Sequence, residues 1–160
     1  MTGEVVVIGV GNEFRGDDGA GPEVVTRLRA RLPGGVRLVL SDGEPTAMLE
    51  AWTGASLAIV VDAVAGRPPG TLRRLVFGQD AGAGGGSEAG VASSHGLGLE
   101  TAFGLAAALG RLPGVLIVHC VLGADFSQRR GLSEPVAAAI GSLADAIVAD
   151  VNAARSDAGT

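Results

Sequence analysis

The stretch EVVVIGV at Glu4–Val10, followed by GNEFRGDD at residues 11–18, decides the fold class of this chain. The apolar run does not alternate with polar residues, which is typical of a strand covered on both faces. After the polar loop, residues 21–32 carry apolar side chains at helical spacing, and Pro22 is tolerated in the first turn of a helix. A buried strand, a loop and a helix in this order predict the first unit of an α/β domain.

The rest of the chain continues the alternation of strands and helices. Further strands are predicted at residues 36–40, 57–61, 71–77 and 115–122, and further helices at residues 46–52, 97–109 and 133–152. Two arginines, Arg73 and Arg74, fall inside the strand at 71–77 and indicate a partly exposed edge strand. The pattern predicts one α/β domain with a mostly parallel sheet over residues 1–155, and residues 156–160 are expected to form a disordered tail.

The composition argues against several classes of function. The chain has 160 residues, a net charge of −5 and 3% aromatic residues. An acidic chain is repelled by nucleic-acid backbones and by anionic membranes, and so few aromatic side chains make a stacking platform for single-stranded nucleic acid unexpected. The only cysteine, Cys120, excludes an internal disulfide and a cysteine-rich metal site. Neither a signal peptide nor an unbroken apolar run of about 20 residues is recognised, so a cytoplasmic protein without a membrane span is expected.

Acidic residues follow three of the predicted strands. Asp17 and Asp18 lie in the loop after the first strand, Asp42 follows the second, and Asp62 follows the third. Because ligands bind at the carboxyl ends of the strands in such sheets, these groups are expected to converge on one edge. Converging carboxylates repel one another and a cation relieves that cost, so a cation site or an acid/base site is indicated. For any single aspartate a helix cap or a turn is favoured, whereas for Asp18 and Asp62 together function is favoured.

His95 follows a stretch rich in Gly, Ala and Ser at residues 78–94 and directly precedes a predicted helix. A lone histidine in this position is more often a cap or a surface residue. Together with Asp18 and Asp62, however, it would provide two carboxylates and one imidazole. That set suits Ni²⁺ or Zn²⁺ and leaves coordination positions open for a substrate.

His119 and Cys120 are neighbours in the apolar strand at 115–122. His119 is expected to be a hydrogen-bonded core or sheet-face residue, and Cys120 a small core residue. Adjacent side chains of a strand point to opposite faces, so a Cys–His nucleophile pair is not expected.

The segment GVGN at residues 9–12 could be taken for a dinucleotide-binding turn. The full fingerprint is G-x-G-x-x-G opening a helix, but the third glycine comes late here, and Asp17 and Asp18 follow where a pyrophosphate requires positive potential. Nucleotide binding is therefore disfavoured, and Gly9 and Gly11 are expected to let the strand turn tightly. The chain contains neither G-x-S-x-G nor a Walker A motif.

Five short motifs in a fixed order carry a resemblance to a known family. They are GVGN at 9–12, RGDDGAG at 15–21, SDG at 41–43, VVDA at 60–63 and SHGL at 94–97. With these motifs the chain resembles, over nearly the whole domain, the hydrogenase maturation endopeptidases, which process the large subunit of NiFe-hydrogenases. The resemblance implies a single three-layer α/β domain with a five-stranded, twisted, mostly parallel sheet between helices, one edge strand being antiparallel.

The resemblance also implies an activity and a set of site residues. Members of the family remove a C-terminal extension from the nickel-loaded precursor, and the nickel signals that loading is complete. By motif position, the residues implied as catalytic and as metal contacts are Asp18, Asp62 and His95. The implied metal is Ni²⁺ supplied by the precursor, with no organic cofactor. The implied partner is the NiFe-hydrogenase large-subunit precursor, and a monomer is expected.

Two alternative functions stay open. A non-catalytic module would use the same residues to hold a nickel-loaded partner without cutting it, and a nucleotide-binding α/β protein would use the turn at residues 9–12. Within the peptidase hypothesis, the general base and the role of the metal, polarising the carbonyl or activating a water, also stay open.

Overall fold

The computed structural model describes residues 3–78 and 96–158 of the chain. Strands and helices alternate through them: β1 (Glu4–Val10), α1 (Ala20–Leu28), β2 (Val36–Ser41), α2 (Pro45–Trp52), β3 (Ala55–Ala65), β4 (Leu72–Gly78), α3 (Gly96–Leu109), β5 (Val115–Gly123) and α4 (Glu134–Ala158). A 3₁₀ turn, Gly16–Gly19, leads directly into α1. The predicted α/β class is confirmed.

The described strands form one sheet of five, in the order β2-β1-β3-β5-β4. β1 pairs in parallel with β2 and β3, and β3 pairs in parallel with β5. β4 lies at the edge of the sheet, as its two arginines indicated, and it runs antiparallel to β5, as the resemblance implied. The chain leaves β1 toward β2 on one side and returns to β3 on the other. In such sheets, ligands bind at the carboxyl ends of the strands beside this reversal.

Helices cover both faces of the sheet, and each face has its own apolar core. α1 and α4 lie on one face, and α2 and α3 on the other. The side chains of β3 alternate between the two cores, with Ile59 and Val61 in the first and Ala58 and Val60 in the second. Because both faces are covered, the central strands need apolar residues at successive positions, which explains the unbroken run in β1. The predicted three-layer architecture is confirmed.

A close approach of α1 to β1 depends on glycine. A Cβ atom on Gly9 would lie 2.5 Å from Cγ2 of Val25 and 2.7 Å from the carbonyl oxygen of Gly21. The expectation that Gly9 lets the strand turn is therefore wrong, because Gly9 stays within β1 and its missing side chain admits the helix. Gly11 does serve the turn, with a φ of +142° that other residues rarely adopt.

Several predicted boundaries move. β3 was expected to end before Asp62 but continues to Ala65, because β5 pairs alongside it up to the Ala65–Gly123 pair. α1 ends at Leu28, and the residues after it form turns instead of continuing the helix to Leu32. α4 runs to Ala158, so it includes residues 156–158 of the segment expected to be a tail.

By length and composition alone, α4 is long and apolar enough to cross a membrane. In this fold its apolar stripe lies against the sheet, and Ile140, Leu143 and Ile147 are fully buried in the core shared with α1. Core helices of globular domains have the same apolar composition. The packing of α4 against the sheet therefore accounts for its apolar residues.

Candidate active site

Asp18 lies in the 3₁₀ turn that follows β1, and its side chain is fully buried. Its Oδ2 accepts a hydrogen bond from the backbone N–H of Asn12 at 3.0 Å, and its own N–H donates to the carbonyl of Arg15 at 3.1 Å. The Asn12 N–H also lies 3.1 Å from the Asp18 carbonyl oxygen. A Cβ atom on Gly11 would collide with that oxygen, so glycine permits the fold of this loop. The loop is thus closed around the Asp18 carboxylate.

Asp62 lies within β3 and is only 3% exposed. It follows the last paired residues of β1 and β3, Gly9 and Val61, and so stands beside the carboxyl end of β1. Its Oδ1 accepts the N–H of Ala63 at 2.8 Å. The turn that carries Asp18 packs against β3. The fold therefore brings the elements carrying these two buried carboxylates together at the crevice expected from the topology.

His95, the third predicted site residue, lies outside the described residues. α3 begins at the next residue, Gly96, and its first turn packs on the loop after β2, where a Cβ atom on Gly98 would collide with the carbonyl oxygen of Gly43. In the part of the chain that the structure describes, no three His, Cys, Asp or Glu side chains are grouped to hold a metal ion. The described part of the site offers carboxylates, which can bind a cation or accept a proton.

Asp17 has a structural role, which the sequence alone does not distinguish from the role of Asp18. Its carboxylate is fully buried and accepts the backbone N–H groups of Ala124, Asp125 and Ser133 at 2.8, 3.0 and 2.7 Å. The Ser133 hydroxyl donates a further bond at 2.9 Å. All these donors lie in the loop between β5 and α4. Several donors to one carboxylate stabilise its charge in the interior, so Asp17 ties this loop to the turn that carries Asp18.

His119 is a buried residue of β5, as predicted, on the face covered by α4. Its Nε2 lies 2.6 Å from Oδ2 of Asp150 on α4, and the same carboxylate pairs with Arg74 of β4 at 2.9 Å. Burial lowers the pKa of His119, and the hydrogen bond to Asp150 opposes that shift. The three residues connect β4, β5 and α4 on the sheet face opposite to Asp62.

Cys120 faces the core formed with α2 and α3, where Asp62 is its register partner across β3 and β5. Burial, reinforced by the negative charge of Asp62, raises the pKa of the Cys120 thiol to about 12. A thiol that stays protonated at neutral pH is a poor nucleophile. The prediction that Cys120 and His119 form no catalytic pair is confirmed, because the two side chains lie on opposite faces.

Two further aspartates, Asp42 and Asp125, lie in turns near the same edge. Oδ1 of Asp42 accepts the N–H of Glu44 at 3.0 Å, and the Glu44 side chain caps α2. Asp125 accepts both the N–H and the hydroxyl of Ser127, and these bonds lower its pKa. Both aspartates therefore close local turns, which for Asp42 is the alternative weighed from the sequence.

The turn at residues 9–12 does not favour a nucleotide. The carbonyl oxygen of Asp18 fills the space beside Gly11, and the buried Asp17 and Asp18 precede α1. A pyrophosphate at a helix N-terminus requires open N–H groups and positive potential. The geometry weighs against the dinucleotide alternative.

Several solved structures similar to this chain are maturation proteases of hydrogenases. The chain is 24% identical to the hydrogenase maturating endopeptidase HybD from Escherichia coli, with a TM-score of 0.77 over 93% of this chain and 92% of that one. It is 28% identical to the hydrogenase 2 maturation peptidase from Thaumarchaeota archaeon SCGC_AB-539-E09, with a TM-score of 0.68 over 92% and 97% of the two chains. For the NiFe hydrogenase maturation protease HybD from Thermococcus kodakarensis, the identity is 18% and the TM-score 0.70, over 90% and 96%.

No family model matches the chain, and no curated protein matches it. The structural matches nevertheless extend over nine-tenths of this chain, so they include the sheet and the helices on both faces. The resemblance predicted from the five motifs is thereby confirmed in three dimensions: the chain has the fold of the hydrogenase maturation endopeptidases.

Proposed function

We propose that this protein is an endopeptidase that removes the C-terminal extension of a NiFe-hydrogenase large-subunit precursor once nickel has been inserted. The observation that carries the proposal is the pair of buried carboxylates, Asp18 and Asp62, on packed elements at the carboxyl edge of the sheet. They occupy the positions that the motif match assigns to nickel contacts. The fold is shared with proteins described as hydrogenase maturation endopeptidases.

In this proposal Asp18, Asp62 and His95 engage the nickel that the precursor carries. Buried carboxylates on packed elements favour a cation because it offsets the negative charge that they place in the interior. Carboxylate oxygen and imidazole nitrogen are suitable ligands for Ni²⁺, and three protein contacts leave positions for the substrate's own ligands. The nickel belongs to the substrate, and no organic cofactor takes part.

Cleavage of the scissile peptide requires a polarised carbonyl and an attacking water. The substrate's nickel can supply either effect, and one of the two aspartates can accept the proton of the water. A bond forms between the water oxygen and the carbonyl carbon, and the C–N bond breaks as the leaving amine takes up a proton. The N–H groups of Asn12 and Ala63 orient the two carboxylates before the substrate arrives.

The proposal is tested by incubating the protein with its cognate precursor, nickel-loaded or nickel-free, and weighing the products by mass spectrometry. Loss of a C-terminal peptide from the nickel-loaded precursor alone is expected. An intact nickel-loaded precursor that still forms a complex would favour the non-catalytic binding module. Equal cleavage of both precursors would overturn the role of nickel and leave the peptidase activity standing.

A further inference from the structure

A groove lies beside the candidate site, between the loop after β1 and the loop after β5. Its volume is about 390 Å³, and we call it the arginine groove; it is lined by Asn12, Phe14, Arg15, Gln128, Arg129 and Arg130. The backbones of the two loops are joined here: Gly16 donates its N–H to the carbonyl of Arg129 at 2.8 Å, and Arg129 donates its N–H to the carbonyl of Phe14 at 3.0 Å. These bonds make the groove a built feature of the fold.

The arginine groove concentrates positive charge on a chain whose net charge is −5. Arg129 pairs with Asp125 at 3.1 Å, and Arg130 pairs with Glu13 at 3.2 Å. Arg15 is exposed and makes no ion pair with any residue in the described ranges. Three guanidinium groups thus face two carboxylates, and the charge of Arg15 remains available to an outside partner.

Phe14 adds an apolar contact to the groove. Its side chain is 56% exposed, and the guanidinium carbon of Arg130 lies 4.9 Å from the ring centroid. A ring this exposed contributes little to the core, whereas aromatic and arginine side chains are the types most enriched at binding hot spots. The cation–π contact with Arg130 holds the ring in place for a partner.

The groove adjoins the candidate site through the loop that positions Asp18. Asn12, which lines the groove, donates its N–H to the Asp18 carboxylate, and the carbonyl of Arg15 accepts the N–H of Asp18. A polypeptide seated in the groove is therefore separated from Asp18 by one loop only.

We propose that the arginine groove docks an acidic segment of the precursor, with an aspartate or glutamate side chain on Arg15 and an apolar side chain on Phe14. The inference rests on the proposed function, because it takes the precursor as the partner. A guanidinium binds a carboxylate through two parallel N–H donors, which fixes direction as well as distance. Since the acidic protein as a whole repels such a segment, the groove also orients the precursor toward the site.

The test compares two double variants of equal net charge. Arg15→Gln with Arg130→Gln removes two positive charges from the groove. Arg29→Gln with Arg155→Gln removes two from exposed positions after α1 and in α4 that do not line it. With the nickel-loaded precursor at low salt, we expect the groove variant to raise KM about tenfold with kcat unchanged, and the control to change neither. The difference should shrink as salt is raised.

A second groove variant keeps all charges in place. Phe14→Ala removes the exposed ring and should also raise KM, so it serves where the double arginine variant fails to fold by circular dichroism. Equal KM values for groove and control variants would overturn the docking proposal while the peptidase proposal stands. A lower kcat at unchanged KM would overturn it too, because the groove would then act on the chemical step.

If the wild type does not cleave the precursor, binding of the intact precursor to each variant is measured directly. A complex about tenfold weaker with the groove variant than with the control supports the groove and rejects the peptidase activity. Absence of any complex with the wild type overturns both proposals.

Discussion

Ser133 donates two hydrogen bonds to Asp17, which lies 116 residues earlier in the chain: its N–H to Oδ1 at 2.7 Å and its hydroxyl to Oδ2 at 2.9 Å. The N–H groups of Ala124 and Asp125 complete the set on Oδ2. Asp17 thereby links the first turn of the chain to the start of α4, and the next residue is Asp18. The Asp17 carboxylate therefore contributes to the stability of the fold, whereas the neighbouring Asp18 carboxylate belongs to the candidate site.

Asp17→Asn should destabilise the protein by about 3 kcal/mol, because an NH₂ group replaces one acceptor oxygen and leaves buried donors without a partner. Urea unfolding followed by circular dichroism measures the loss. The control is Asp145→Asn, because Asp145 is 69% exposed and pairs on the surface with Arg31; its effect should stay within about 0.5 kcal/mol. A loss at Asp17 no larger than at Asp145 would mean that the four bonds add no net stability.

Asp18→Asn and Asp62→Asn should each reduce processing of the nickel-loaded precursor by at least about a hundredfold, since the amide keeps the shape but can neither balance a cation nor accept a proton. His95→Ala is expected to have the same effect. Asp42→Asn, in an exposed turn, should process at the wild-type rate. The cleaved fraction is followed by mass spectrometry over time. Full processing by the Asp18 or Asp62 variant would remove that residue from the proposed mechanism.

His119 should make stability depend on pH. Its pKa is lowered by burial from an ordinary value of 6.5, so the unfolded chain binds the proton first as the pH falls. The contribution of His119 is complete above that ordinary value and is lost as the pH falls toward the lowered pKa of the folded state. The unfolding free energies of wild type and His119→Gln are measured from about pH 8 to about pH 5. Over this range the wild type should lose more unfolding free energy than the variant.

Asp150 and Arg74, which face the His119 ring, are present in both proteins of that comparison. Their direct contribution to the pH dependence therefore largely cancels. A change in favour of the wild type at acid pH would mean that the attraction of Asp150 outweighs burial and that the pKa is raised.

Gly9→Ala should destabilise the protein by about 1–3 kcal/mol, because the new methyl group meets Val25 and the backbone of Gly21 and forces α1 away from β1. Gly104→Ala is the matched control in α3, where a Cβ atom meets nothing within 4 Å. That change should stabilise the helix by up to about 1 kcal/mol. Thermal unfolding of both variants distinguishes the effects. Equal unfolding midpoints of the two variants would contradict the close contact of α1 with β1 at Gly9.

The order and type of the elements could be predicted because the central strands are mostly apolar and are separated by loops and helical segments. The antiparallel edge strand was foreseen as an edge from Arg73 and Arg74. The end of β3 was misplaced because a carboxylate commonly marks the end of a strand. At Asp62 the strand continues, since β5 lies alongside and pairs with it as far as Ala65.

The candidate site could be predicted only in part. Their positions after two apolar strands indicated Asp18 and Asp62, but Asp17 is chemically identical to its neighbour. The donors that distinguish Asp17 come from the other half of the chain. The arginine groove is hidden in the same way, because Arg15 and Arg129 meet only when the two loops pair.

The donors to Asp17 have a consequence for biosynthesis. Asp17 leaves the ribosome well before its hydrogen-bond donors, which belong to Ala124, Asp125 and Ser133 and lie at least 107 residues later in the chain. Until those residues are made, the turn that carries Asp17 and Asp18 lacks the hydrogen bonds that tie it to the loop before α4. The turn that carries Asp18 is therefore held in place only after residues 124–133 have been synthesised.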